Sequence, residues 1–213
     1  MKTSILPILQ KPNIIVLTAG HGDGDPGAVD GSHAQAPQTI SITNEIASIL
    51  KKSNIDVRVS PHSQDLGDSI NWVNKRFNYG DAWILEIHRD SATGLDMDDA
   101  SKRCGIYYGV SNESKKVGEF IRQSFISHDA HKHSWCRPDT ESEDGKLGWI
   151  RETKPVAHLL ELGFMQGRND NEHLYWLASV AAHAIFEAFT GNKLKIDQIT
   201  NNDQMPFIIP GNY

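Results

Sequence analysis

The sequence predicts an α/β fold, in which a single domain holds a mixed, mostly parallel β-sheet flanked by helices on both faces. Five short segments rich in β-branched or aromatic residues alternate with amphipathic segments of helical period. This alternation is typical of a largely parallel sheet whose strands are joined by crossover helices. The 213 residues suit one domain and suffice for a hydrophobic core without disulfide bonds.

The strands are predicted from short apolar runs, the first of which is IIVL at residues 14–17. The helices are predicted from apolar stripes such as Ile42, Ile46 and Ile49, and Gly191 ends the last one. The predicted strands cover residues 13–19, 56–60, 82–88, 104–110 and 156–162, and the predicted helices cover residues 39–52, 67–79, 112–127 and 170–190.

Two polar segments, 90–103 and 128–145, are predicted as long loops, which in compact domains are usually functional or disordered. Residues 1–191 are predicted as the folded domain. Residues 192–213 are polar with two prolines and are predicted as a C-terminal tail.

Composition limits the function classes. The formal net charge of −6 gives no indication of nucleic-acid binding, and no apolar run approaches the ~20 residues of a membrane span. Residues 1–7 lack the apolar core of a secretory signal peptide, so we expect a chain that is made and kept in a cytoplasm. Its two cysteines, Cys104 and Cys136, do not form a disulfide framework. We expect a monomer.

The stretch from Thr18 to Gly27, TAGHGDGDPG, directly follows the first predicted strand. It indicates a glycine-rich turn with His21 at the end of that strand, where ligands and metals bind in open α/β sheets. A second strand ends in the same way at His88. If both strands are parallel, the two imidazoles emerge at one edge of the sheet and can form a zinc pair. The alternative is two unrelated loop histidines.

Glu161 interrupts an apolar strand near its end. A carboxylate there is costly unless it is paired or lies near a cation. Beside a metal it can take a proton from water and return it to a leaving amine. The alternative is a structural salt bridge with Arg151 or Arg168.

Together these motifs resemble the zinc-dependent N-acetylmuramoyl-L-alanine amidases with the AmiC-type catalytic fold. GHG at 20–22 with DPGA at 25–28 resembles the first metal motif of that family, and EIH at 86–88 resembles the second. LGWIRETKPV at 147–156 with LELGF at 160–164 resembles its final strand and catalytic glutamate. The resemblance implies that residues 1–191 are a zinc amidase catalytic domain with one Zn²⁺, held by His21 and His88, and with Glu161 as the general base.

The third zinc ligand of that family is a glutamate at the start of the first helix, and here the position falls on Gln35. A glutamine can ligate through its carbonyl oxygen, but it is neutral and a weaker ligand than a carboxylate. His33 is the next candidate. Glu45, expected on the solvent face of the helix, and Glu86, expected ~7 Å further down the strand from His88, are further candidates.

Three more residues, Asp25, Asp90 and Arg151, are candidates for contacting substrate or orienting the metal-binding histidines. Each also has an ordinary explanation as a turn, loop or surface residue. His131, His133 and Cys136 form a second ligand-like cluster, although histidine-rich loops are often only solvated.

The resemblance implies a peptidoglycan hydrolase that cuts the amide between N-acetylmuramic acid and L-alanine, with peptidoglycan as its partner. Without a signal peptide, a phage endolysin held in the host cytoplasm before release is favoured. Local basic residues such as Lys102, Arg103 and Arg137 would then help binding to an anionic wall. The alternatives are a non-catalytic module that binds muropeptide or a protein partner, with a degraded zinc site, and a zinc peptidase that acts on another amide.

Overall fold

The computed structural model describes residues 12–62 and 64–195. The predictions made on residues 1–7 and on most of the tail therefore lie outside the described residues. In chain order the elements are β1 (Ile14–Ala19), β2 (Val29–Asp30), β3 (His33–Ala34), α1 (Gln35–Lys52), β4 (Asp56–Val59), α2 (Leu66–Arg76), β5 (Ala82–Asp90), α3 (Met97–Lys102), β6 (Cys104–Tyr108), α4 (Asn112–Ser127), β7 (Trp135–Pro138), α5 (Gly148–Glu152), β8 (Val156–Phe164) and α6 (Asn171–Thr190).

Six of the strands form one sheet in the order β4-β1-β5-β8-β6-β7. Strands β4, β1, β5 and β8 run parallel to one another. Strand β6 is antiparallel to β8, and β7 pairs with β6 in parallel. The sheet is therefore mixed and mostly parallel, which confirms the predicted fold class.

The core has two layers because the strands alternate their side chains between the faces of the sheet. Ile15 and Leu17 point to the face that is covered by α1, α4 and α6. Val16 and Ile84 point to the opposite face, where α2 and α5 pack. Helices thus cover both faces, as predicted. Leu194, the last apolar residue of the described range, packs onto the larger layer.

Among the differences from the sequence prediction, three have a clear physical reason. Helix α1 begins at Gln35 rather than at residue 39, since residues 35–38, QAPQ, carry no large apolar side chain and give no apolar period to detect. The segment 90–103 contains α3, which Asp96 caps by accepting the Asp99 N–H at 2.8 Å. The segment 128–145 contains the edge strand β7, which ends at Pro138, a residue that sheets tolerate at an edge.

Because β1, β5 and β8 are parallel neighbours, their carboxyl ends lie at the same end of the sheet. No helix within the described ranges is both long and apolar enough to cross a membrane.

Candidate active site

Three of the predicted side chains meet at the carboxyl edge of the parallel strands. His21 follows β1, His88 lies near the end of β5, and Glu161 lies in β8. His88 and Glu161 are register partners, so their side chains share a face of the sheet. All three line a cavity of about 470 Å³ between the sheet, α2 and α5.

The glycine-rich turn places His21 in a left-handed conformation, with φ of 65°. Its Nδ1 lies 2.7 Å from Asp25 Oδ2, and Asp25 Oδ1 accepts the Gly27 N–H at 2.9 Å. These bonds, first that from His21, lower the pKa of Asp25. Because the carboxylate accepts, Nδ1 of His21 carries the proton and Nε2 keeps a lone pair. Asp25 therefore contacts both the imidazole of His21 and the backbone of the turn.

The His88 ring lies edge-on to that of His21, with 4.9 Å between ring centroids. Its Nε2 is 3.3 Å from Glu86 Oε2, and its Nδ1 is 3.2 Å from Gln35 Nε2. Burial alone would lower the pKa of His88, but the carboxylates of Glu86, Glu161 and Asp90 raise it to about 9. The ring also packs on Gly20, where a Cβ atom would come within 2.3 Å of Nε2. Only glycine leaves room for the imidazole there.

Gln35 is the first residue of α1 and is buried beside His88. Its Oε1 accepts the Ala28 N–H at 3.0 Å, and its amide nitrogen faces His88 Nδ1. The position that the sequence identified therefore reaches the site, but it presents an N–H group there. His33 is exposed in β3, and neither His33 nor Glu45 lines the cavity.

Glu161 has no arginine partner among the described residues. Arg151 is bonded to Asp139, and Arg168 is bonded to Asp170 at 2.9 Å. Burial raises the pKa of Glu161 to about 8, with His88 acting in the opposite direction. Its Oε2 is buried and has no hydrogen-bond partner in the described part of the chain. The salt-bridge alternative for Glu161 does not hold in this structure.

The remaining candidates separate into two kinds. Asp90 lines the cavity at the end of β5, and burial raises its pKa. Arg151 lies in α5 and its guanidinium is committed to Asp139, which is itself buried, so this arginine is not among the cavity-lining residues. Its contact is structural.

Glu86 lies closer to His88 than the ~7 Å rise along the strand predicts. Residues two apart on a strand share a face, and the long glutamate side chain spans the remaining distance to His88. The spacing of Glu86 and His88 therefore indicates this contact once the length of the side chain is included. Tyr107 and Trp149 also line the cavity and lack a comparable sequence signal.

The basic residues that are expected to help wall binding do not line the cavity. Lys102 and Arg103 pair with Asp98 and Asp99 of α3 and do not line the cavity, and Arg137 lies over the Trp135 ring. The one arginine among the lining residues, Arg89, donates to backbone carbonyls and side chains behind the sheet edge. The acidic residues that line the cavity are Asp23, Asp25, Asp65, Glu86, Asp90, Glu143, Asp144 and Glu161.

The arrangement of the two histidines fits a divalent cation. Each imidazole has a carboxylate beside one ring nitrogen, Asp25 for His21 and Glu86 for His88, which leaves the other nitrogen for a metal. The third donor fits less well, since Gln35 Oε1 must leave the Ala28 N–H to reach a metal. His21 Nε2 and His88 Nδ1 could therefore hold a zinc ion, with Gln35 as a neutral third donor after its amide rotates.

Several known proteins are similar to this chain. The probable cell wall amidase LytH of Staphylococcus saprophyticus is 26% identical over 165 residues, which cover 76% of this chain and 51% of that protein. The chain therefore spans about half the length of this curated relative.

Two solved structures are similar in fold. One is the catalytic domain of CwlV, an N-acetylmuramoyl-L-alanine amidase from Bacillus (Paenibacillus) polymyxa var. colistinus, with a TM-score of 0.64 and 23% identity over 82% of this chain and 97% of that one. The other is the catalytic domain of the CD27L endolysin targeting Clostridia difficile, with a TM-score of 0.63 and 19% identity over 85% and 99% of the two chains.

The sequence model of one family, described as N-acetylmuramoyl-L-alanine amidase, matches residues 15–190. This match spans β1 to α6 and includes every residue of the candidate site. The chain therefore belongs to the N-acetylmuramoyl-L-alanine amidase family.

Proposed function

We propose that this chain is a zinc-dependent peptidoglycan hydrolase that cleaves the amide between N-acetylmuramic acid and L-alanine. One observation carries the proposal: Glu161, a half-buried residue whose Oε2 atom is buried, is the register partner of His88 and lines a cavity, with no arginine or lysine paired to it among the described residues. Membership of the amidase family supports the reaction class. The assignment of the substrate is based on the family, and the assignment of zinc is based on the family and on the ligand atoms of His21, His88 and Gln35.

Glu161 is the proposed general base and acid. Its burial favours the neutral carboxyl group, and the nearby imidazole of His88 favours the charged form, so the group is suited to gain and lose a proton. It would accept a proton from the attacking water and pass it to the departing alanine nitrogen. When bound, zinc supplies polarisation of the scissile carbonyl and lowers the pKa of water.

The histidines and their carboxylates are proposed to hold the metal. Asp25 fixes the tautomer of His21, and Glu86 lies beside the far nitrogen of His88. Carboxylates in this position raise the basicity of ligating imidazoles and fix their orientation. Asp90, at the mouth of the cavity, is proposed to contact the substrate.

The acidic cavity has a consequence for the substrate. An uncharged stretch of glycan and peptide, or one carrying an ammonium group, meets less repulsion there than a free carboxylate does. The family includes wall amidases, and the similar folds include the catalytic domain of an endolysin. We propose cell-wall lysis of the endolysin type as the use of this reaction.

A second candidate function is a non-catalytic module that binds muropeptide. The orientation of Gln35 favours it, because the amide offers an N–H group to His88 Nδ1 where a metal would need an oxygen. This candidate keeps the cavity but needs no metal.

Digestion of purified peptidoglycan distinguishes these functions and also the zinc peptidase. An amidase releases intact stem peptides with new N-terminal alanine, a peptidase releases fragments cut within the peptide, and a binding module releases neither. Mass spectrometry of the digest, with and without a chelator, identifies the bond. Peptides cut internally, or no release at any zinc concentration, would contradict the proposal.

A further inference from the structure

A second cluster of ligand-type side chains lies outside the cavity. It consists of Asp99 in α3 and of His131 and His133, which lie between α4 and β7. One ligand atom from each lies within 4.8 Å of the others. Across residues 12–62 and 64–195, this is the one group of three histidine, cysteine or acidic side chains that meets this condition. Cys136, which the sequence grouped with these histidines, instead points its sulfur toward Gly118.

The distances from the two histidines to the carboxylate of Asp99 are close to those between ligands of a single metal ion, and each histidine faces a different oxygen of that carboxylate. His131 Nδ1 lies 3.0 Å from Asp99 Oδ1, and His133 Nδ1 lies 3.8 Å from Asp99 Oδ2. Two ligands of a tetrahedral zinc ion, each bonded at about 2.0–2.1 Å, are separated by roughly 3.3 Å. The two imidazole rings stand nearly perpendicular, at 78°, with 4.6 Å between centroids.

His131 Nδ1 has two polar neighbours. The backbone N–H of His133 lies 3.3 Å from this nitrogen. Asp99 Oδ1 lies 3.0 Å from the same nitrogen. An imidazole nitrogen has one lone pair, so a cation bound to Nδ1 would take the place of the His133 N–H and would also attract the carboxylate.

The backbone holds the cluster in place without a metal. The His131 N–H donates to the Lys102 carbonyl at 2.9 Å, and the Ser134 N–H donates to the His131 carbonyl at 2.8 Å. Arg103 donates to both oxygens of Asp99. This arginine holds the carboxylate of Asp99 in place and partly neutralises its negative charge. Lys102 and Lys132, which are near the ligands in sequence, are further positive residues. Two imidazoles with a partly neutralised carboxylate favour zinc over calcium or magnesium.

We propose that Asp99, His131 and His133 form a second metal site, which binds Zn²⁺ independently of the cavity. The three ligands leave a fourth position open to solvent, since His133 is exposed while Asp99 is buried. The site joins the segment after α4 to α3. A metal there would secure the start of the connection that continues through β7 to Glu143 and Asp144 at the cavity.

Equilibrium dialysis of the full chain against zinc, followed by metal analysis, tests this proposal. The variants are His133→Ala at the new site, His88→Ala in the cavity, and Lys132→Ala as the matched control between the two histidines. The proposal predicts that His133→Ala loses one equivalent of zinc relative to the unsubstituted chain. Lys132→Ala should bind as much as the unsubstituted chain.

The His88→Ala variant separates this proposal from the proposed function. If the cavity binds zinc, His88→Ala loses one equivalent of zinc from the cavity. The variant that combines His88→Ala with His133→Ala then loses two equivalents. If the cavity binds none, His88→Ala changes nothing while His133→Ala still loses one. Undiminished zinc in both His133→Ala and a second variant, His131→Gln, would overturn the second site. Circular dichroism checks that each variant folds.

Discussion

His88 and Glu161 are register partners on the adjacent parallel strands β5 and β8. This pairing places an imidazole and a half-buried carboxyl group side by side on the face of the sheet that α2 and α5 cover. His21 reaches the same place from the end of β1, because β1 is the other neighbour of β5. Three separate stretches of sequence thus meet through the strand order and the turn that follows β1.

Replacing Glu161 with Gln should abolish amide hydrolysis while the metal stays bound. The amide is similar in size to the carboxyl group but cannot take up a proton, and general acid–base groups typically contribute about 10²–10⁴-fold in rate. Release of new amino termini from peptidoglycan measures the loss. Glu152→Gln, on the exposed side of α5, is the control and should keep full activity. Activity within a few-fold of the unsubstituted chain would remove Glu161 from the proposed role.

Replacing Gln35 with Glu should tighten zinc binding. A carboxylate can accept the Ala28 N–H with one oxygen and present the other beside His88 Nδ1, so the metal gains an anionic ligand without loss of the backbone hydrogen bond. We expect a gain of at least about tenfold, which corresponds to about 1.4 kcal/mol. Competition with a chromophoric chelator measures it. Gln35→Ala should bind zinc more weakly than both the unsubstituted chain and Gln35→Glu. Equal zinc affinities of these three proteins would show that residue 35 is not a ligand.

Asp25→Asn should weaken zinc binding by about 10–100-fold, the usual effect of removing a carboxylate that orients a ligating histidine. The amide can also donate a hydrogen bond, so it no longer fixes the proton on His21 Nδ1. The same titration measures this change. Asp23→Asn, two residues away in the same turn, is the control. If the two variants behave alike, then Asp25 serves only the turn.

Acid should destabilise the fold through His158. Burial lowers the pKa of His158 to about 4, and its Nδ1 accepts the Trp83 Nε1–H at 3.0 Å. An unfolded histidine titrates near 6.5, so the unfolded chain binds more protons between pH 6.5 and 4. Stability from this group is therefore complete above pH 6.5 and falls by about 3 kcal/mol as the pH drops to 4.

Urea unfolding at several pH values measures this slope. His158→Gln should lower stability at neutral pH and flatten the dependence between pH 6.5 and 4. His33→Gln, in an exposed strand, should leave the slope unchanged. If the free energy of unfolding depends on pH with the same slope in the unsubstituted chain and in His158→Gln, then other groups cause the acid sensitivity. His173, whose pKa is also lowered to about 4, is the first of these groups.

Much of the sheet follows from local sequence signals. The apolar runs that became β1, β5 and β8 mark strands that are buried on both faces, and two of them lead directly to His21 and His88. Elements without such runs were missed. Strand β7 lies at an edge with partly exposed residues, and α3 is held by an aspartate cap rather than by an apolar stripe.

The candidate site was predictable where a residue ends a strand and less so where contact depends on side-chain conformation. Spacing alone could not decide that Gln35 turns its oxygen to Ala28, or that Arg151 pairs with a buried aspartate across the loop. The partnership of Asp99 with His131 and His133 depends on how the segment after α4 packs on α3. The periodic pattern of apolar residues in the sequence does not predict that packing.

Anomalous diffraction at the zinc edge, from crystals of the chain grown with zinc, tests the central claim most directly. The account predicts a peak within bonding distance of both His21 Nε2 and His88 Nδ1, with Glu161 facing it. A well-occupied zinc ion elsewhere on the molecule, with no peak between these two imidazoles, would contradict it.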